Sequence, residues 1–218
     1  MKKQAFTLAE VLITLVVIGV VSALTVPSIN NALHKYQYIS ALKKNYSVFS
    51  NLFNKTKFDY NDYLDWNHAD SNQNAIFENY LNMKVYLNVI RECNNKKGCW
   101  SKDITTAPNG KDKAISASEV GIGGNIVTFT LSDGTNVNLD YWSAADITTN
   151  FGVSQNLFPS TLSIFVDVNG DKRPNKLGQD VFAFILTKEG LVPAGLNNHS
   201  EKCNITGYDC AAKHLIKF

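Results

Sequence analysis

One stretch limits what this chain can fold into more than any other. From Val11 to His34 there is no formal charge, and a single carboxylate, Glu10, stands just ahead of it. Counted from Phe6, the segment is long enough to cross a bilayer as a helix, which takes about 20 apolar residues. Lys2 and Lys3 precede it and would stay on the cytoplasmic side, leaving the rest of the chain outside. A carboxylate at membrane depth costs roughly 2.5–3.5 kcal/mol on insertion scales, so Glu10 requires a partner.

Three readings compete for this segment. One is a secretory signal cut after Val21-Ser22-Ala23, a run of small residues suited to cleavage. Another is a plain single-pass anchor, which gives Glu10 nothing to do. The third supposes a cut between Ala5 and Phe6. It creates a new amino group four residues ahead of Glu10, which a neighbouring copy's carboxylate could meet.

The residues "KKQAFTLAEVLITLVVIGVV" resemble the class A signal of type IV pilins and type II secretion pseudopilins. The shared features are a short basic leader, a small residue before the cut, then Phe6, Thr7, Leu8 and Glu10, then an aliphatic run. The resemblance implies that a prepilin peptidase cuts after Ala5 and methylates the amine of Phe6. The family usually has Gly before the cut, and this chain has Ala5. It also implies that other pilin-like subunits and an inner-membrane assembly machinery are partners. The chain would sit in the cytoplasmic membrane by one pass, its C-terminal domain outside, before entering a pilus or pseudopilus.

Apolar residues continue at Ile29, Leu33, Tyr36, Ile39, Leu42, Tyr46, Phe49 and Phe53, in steps of three and four that mark one face of a helix. The predicted element is a single helix from about Phe6 to Thr56, about 75 Å long at 1.5 Å per residue. Its first half is apolar all round and its second half amphipathic. Pro27 removes one hydrogen bond inside it and Gly19 permits close helix approach. By resemblance, Pro27 marks where the helix loosens on assembly; by itself it predicts only a kink. The chain thus divides into a leader (1–5), a membrane and assembly helix (6–28) and an extracytoplasmic domain (29–218).

Beyond the helix, 59–74 reads as a polar surface loop, and "NAIFENYLNMKVYLNVIREC" as a second, short helix. Residues 101–124 read as irregular. "NIVTFTLSDGTNVNLDYW" alternates around Asp133-Gly134, a hairpin signal. "TLSIFVDV", "DVFAFILT" and "KEGLVPAG" supply further strands. A long helix followed by an antiparallel meander is an α+β fold, as in pilin-like proteins.

The four cysteines form two close pairs, Cys93 with Cys99 and Cys203 with Cys210, separated by five and six residues rich in turn formers. Each gap can close as a disulfide loop; four cysteines allow three connectivities. Zinc ligands usually stand about two to four residues apart, closer than these.

The segment "DVNGDKRPNKLGQD" places oxygens at Asp167, Asn169, Asp171, Asn175 and Asp180, a spacing that can wrap calcium. Lys172 stands where an EF-hand loop has Gly, and Gly178 where it has a bidentate Glu. The same residues suit a metal-free turn, since Asn and Asp bond nearby backbone and Pro174 fixes φ. Both readings stay open.

Lys2 and Lys3 account for the whole formal charge of +2, so nucleic-acid binding is not indicated. His34, His68, His199 and His214 are scattered, and no nucleophile motif or phosphate loop occurs, so catalysis is not expected. The sequence predicts a structural filament subunit, pilin or pseudopilin. The alternative is a membrane-anchored extracytoplasmic binding module that depends on calcium.

Overall fold

The computed structural model describes residues 7–59, 62–68, 73–93, 96–101, 105–110, 113–115, 126–197 and 203–216. Its elements in chain order are α1 (Leu8–Asp59), a 3-10 turn (Tyr63–Asp65), α2 (Gln73–Lys84), β1 (Val89–Glu92), β2 (Thr105–Thr106), β3 (Lys113–Ile115), β4 (Ile126–Leu131), β5 (Asn136–Ser143), α3 (Ala144–Phe151), β6 (Ser160–Asp167), β7 (Val181–Thr187), β8 (Gly190–Pro193) and α4 (Ala211–Leu215). The chain forms two compact units, divided between Gln37 and Tyr38.

The first unit is the leading part of α1. Aliphatic side chains cover it on every side and none of the described residues buries them; Leu12, Val16 and Val20 are all exposed. This is the segment long and apolar enough to cross a membrane. The helix runs on through Pro27. Ile29, Leu33 and Tyr36, expected to begin the buried face, are exposed as well.

The second unit is an α+β domain, as the sequence predicts. Six antiparallel strands lie in the order β1-β4-β5-β6-β7-β8. One face of this sheet carries Val127, Phe129, Val137, Leu139, Ile164, Val166, Phe182 and Phe184. Against it pack Leu42, Phe49, Leu52 and Phe53 of α1, with the Phe49 and Phe184 rings 6.4 Å apart. The other face presents Phe165, Val181, Ala183 and Ile185 to Ile147 and Phe151 of α3, and to Trp100 and Leu177. Because both faces are covered, β6 and β7 are buried at every position. That explains why they read as continuous apolar runs.

The Asp133-Gly134 hairpin forms as predicted. Gly134 takes φ +88°, and the Asp133 carboxylate accepts from the Thr135 amide at 3.0 Å. Lys44 of α1 pairs with the same carboxylate at 2.8 Å.

Three expectations need correction. The second helix stops at Lys84, and Val89–Glu92 is a strand. Val89 and Ile90 are β-branched, and Val89 pairs with Leu131 across from it. The polar loop before α2 sends Tyr63 and Trp66 into the core, so part of it is interior; residues 60–61 and 69–72 lie outside the described residues. The irregular segment 101–124 contains β2 and β3, which pair with each other.

The sheet ends are blunt. β1 carries a register shift between Val89 and Arg91. β8 has four residues and ends at Pro193, which has no N–H to offer.

Candidate functional site

Two places carry the residues singled out from sequence. The first is the start of α1. Thr7 caps the helix: its backbone N–H and its hydroxyl both donate to Glu10 Oε2 at 2.8 Å, and the Glu10 N–H donates to Thr7 Oγ1 at 3.3 Å. This is a capping box, a Thr and a Glu three residues apart satisfying each other's backbone donors. The Thr7-x-x-Glu10 spacing is the sequence signal of this cap. Glu10 therefore has a partner within its own chain. Ala5 and Phe6, the expected processing pair, lie outside the described residues. Pro27 lies inside α1, where the Ala23 carbonyl loses its usual donor four residues on.

The second place is the connection between β6 and β7. Asp167 ends β6 and Asp180 immediately precedes β7. Between them Gly170 and Gly178 take φ +67° and +75°, and Asn175 takes φ +51°. The Arg173-Pro174 bond is cis. These turns fold the segment back on itself and bury Asp167, Asn175 and Asp180 completely. Asp180 Oδ1 accepts from the Lys176 amide at 2.6 Å, and Oδ2 accepts from the Asn175 amide at 2.8 Å and from Asn169 Nδ2 at 3.1 Å. Asp167 Oδ1 accepts from the Asn169 amide at 3.3 Å.

Asn175 links the two flanks of this loop. With its side-chain nitrogen turned inward it donates to Asp167 Oδ2 at 3.1 Å and to the Lys172 carbonyl at 3.0 Å, while its oxygen accepts from Ser101 Oγ at 2.8 Å. With its oxygen turned inward, three oxygens converge on one point. Turning the amide over satisfies all of them, and with the oxygen inward a proton on Asp167 or a cation would have to stand between them. Asn169 Oδ1 is buried beside them without a hydrogen-bond partner.

The electrostatics agree with a crowded acidic interior. Burial, and then the facing Asp180 carboxylate, push Asp167 up to about 9. Burial also raises Asp180 above the usual carboxylate range. The ion pairs formed by the described residues, Lys44–Asp133, Lys84–Glu92 and Arg91–Asp171, include neither carboxylate.

Of the five predicted oxygen donors, the structure brings four together: Asp167, Asn169, Asn175 and Asp180. Asp171 points elsewhere, taking a hydrogen bond from Asn136 Nδ2 at 3.0 Å and pairing with Arg91 at 3.4 Å. Spacing alone could not separate it from the others. Ser101 and the Lys172 carbonyl belong to the site and carried no sequence signal.

The cysteines pair as the close spacing allows, Cys93 with Cys99 and Cys203 with Cys210. Cys203, Cys210 and Asp209 stand close enough together to ligate a metal. Both sulfurs are consumed in the disulfide, so no thiolate is left to do so. His68 is stacked on Phe158 with ring centroids 3.7 Å apart, and its ring nitrogen Nε2 meets the Tyr63 carbonyl, a packing role. His199 lies outside the described residues.

Among known proteins, residues 1–26 match the family model described as the prokaryotic N-terminal methylation motif. No curated protein and no solved structure matches the chain. The motif implies processing by a prepilin peptidase and assembly with other pilin subunits. Its first 26 residues thus make this chain one that carries the prepilin-type signal of type IV pilins and pseudopilins, ahead of an α+β domain of pilin-like architecture.

Proposed function

We propose that the chain is a structural rather than catalytic protein. In this reading it is a subunit of a type IV pilus-like or type II secretion filament. It waits in the cytoplasmic membrane on one pass, with residues 29–218 outside, and enters the filament through its N-terminal helix. The observation that carries this is the fully exposed aliphatic surface of α1 from Leu8 to Val26, joined to the methylation motif. Lipid covers such a surface before assembly, and the same segments of neighbouring subunits cover it afterwards.

Glu10 then serves twice. In the free subunit its carboxylate closes the capping box with Thr7. In the filament it neutralises the methylated amine of a neighbour's Phe6, and a misplaced subunit leaves the carboxylate unpaired. The two roles separate experimentally because Gln can close a capping box and cannot neutralise an amine. Glu10→Gln and Glu10→Ala should both insert in the membrane and both fail to assemble. Filaments from the Gln variant alone would reduce Glu10 to a helix cap. Mass analysis of the mature N-terminus tests the rest. A methylated Phe6 supports the filament; a start at Leu24 points to a secreted protein. An intact Met1 favours the anchored binding module.

A second reading concerns the β6–β7 loop, which we infer to be a calcium site. Asp167, Asn169, Asn175 and Asp180 with the Lys172 carbonyl would supply the oxygens. Two buried carboxylates with no ion pair among the described residues, and the buried Asn169 Oδ1 without a hydrogen-bond donor beside them, favour it. The ion would relieve the carboxylate repulsion and fix the strand connection. Calcium titration followed by thermal melting decides, and an unmoved melting temperature rejects the site.

A further inference from the structure

The β6–β7 loop is gripped on one flank by the C-terminal disulfide, and a sulfur atom makes the contact. A side chain at Gly178 would overlap Cys210 Sγ and stand 3.0 Å from Cys210 Cβ. One turn away, a Cβ on Gly207 would lie 2.6 Å from Leu177 Cβ and 2.8 Å from the Leu177 carbonyl oxygen. Leu177, Cys203 and Cys210 are all buried. The Leu177–Gly178 turn and the Cys203–Cys210 loop therefore meet at a contact tight enough to require glycine on both sides.

The same turn sets the acidic site. Lys176 and Asn175, just ahead of it, give their amides to Asp180. Gly178 closes the turn by donating to the Val181 carbonyl at 2.8 Å. At its other end the disulfide loop is fastened to the sheet, where Gly195 abuts the Asp209 carbonyl and the Ala212 amide donates to Ala194 at 2.9 Å. Two thiol sulfurs must stand at van der Waals separation, well beyond a bond length. Gly178 leaves no room for a side chain beside Cys210, so a Cys210 sulfur that moves toward it displaces the turn.

We propose that the Cys203–Cys210 bond is a latch that holds the β6–β7 loop closed around Asp167, Asn169, Asn175 and Asp180. With both thiols reduced the turn at Leu177–Gly178 moves off and the amide donors to Asp180 are released. Closing the latch removes one proton and one electron from each thiol and passes them to an external disulfide, which leaves as two thiols. A cytoplasmic precursor is reduced and carries an open loop; export to an oxidising compartment closes it. Where the loop holds calcium, a part that rests on the preceding reading, affinity depends on the latch.

The test compares the oxidised full chain in detergent micelles with Cys203→Ser/Cys210→Ser and with Gly178→Ala, which keeps the cysteines but pushes the turn off the sulfur. Amide exchange of Asn175 and Lys176 should quicken about tenfold or more in both variants, while amides of β5 and β6 keep their rates. Calcium affinity should fall about tenfold or more. Unchanged loop amides in either variant overturn the latch. So does an equal acceleration in the sheet, which signals general loss of stability. Wild-type protein that binds no calcium removes the cation reading, and the exchange rates alone then decide the latch.

Discussion

The two portions of α1 share a backbone and little else. Up to Gln37 every described side chain is exposed, and the apolar ones cover the whole circumference. From Tyr38 the helix buries one stripe, Leu42, Asn45, Phe49, Leu52, Phe53 and Thr56, and leaves the remainder wet. The first portion relies on something outside the chain for its stability, and the second is stabilised by the sheet it covers. A continuous helix can therefore carry two independent demands, one met by the environment and one by folding.

Substitutions can break this contrast. The largest effect should come from Glu10, where Ala or Gln abolishes filaments while thermal melting of the folded domain stays where it was. A shifted melting transition would mean that the first portion is not independent. Next comes Phe49→Ala, which should destabilise the domain by about 3–5 kcal/mol in chemical denaturation. Val17→Ala, by contrast, should change it by less than about 0.5 kcal/mol. Similar losses at both positions would erase the distinction.

Two smaller effects test how self-sufficient the second portion is. Calcium at about a hundred times its dissociation constant adds about 2.7 kcal/mol, or roughly 5–10 °C in melting temperature for a domain of this size. Asp140 supplies the other. Burial pushes its carboxyl up to about 7, against a partial pull back by the Tyr141 amide, and Tyr208 is the ionisable neighbour it faces. A folded pKa above the unfolded one gives a contribution that is complete near pH 4 and lost as pH rises through about 7. Asp140 should account for about 2 kcal/mol of the fall between pH 5 and 7, to which Asp167 and Asp180 add in the same direction, and Asp140→Asn should make the slope shallower by that share. A profile of the same slope in the variant would assign the loss to other groups.

Much of this was legible beforehand because it depends on local pattern. The apolar run, the amphipathic stripe beyond Tyr38 and the Asp133-Gly134 hairpin all follow from spacing. What depends on distant partners was not legible. β1 reads as helix from spacing alone because Val89 becomes a strand only by pairing with Leu131. α3 went unseen although Ser143 caps it through the Asp146 amide and Gly152 ends it at φ +60°; its eight residues are too few to show a period. Asp171 looked equivalent to Asp167 until Asn136 and Arg91 drew it away. The Thr7-x-x-Glu10 spacing shows the cap within one chain, whereas a neighbour's amine lies beyond what a single chain can show.

The blunt ends of the sheet bear on crowding. The proposed filament would hold many copies of this domain side by side, the condition under which unpaired strands stick to one another. A first strand with a break in register and a last strand closed by Pro193 give a stray ladder no regular run to extend. In that proposed filament, copies gathered by their helices would stay separate folded bodies, and the polymer would keep one mode of growth.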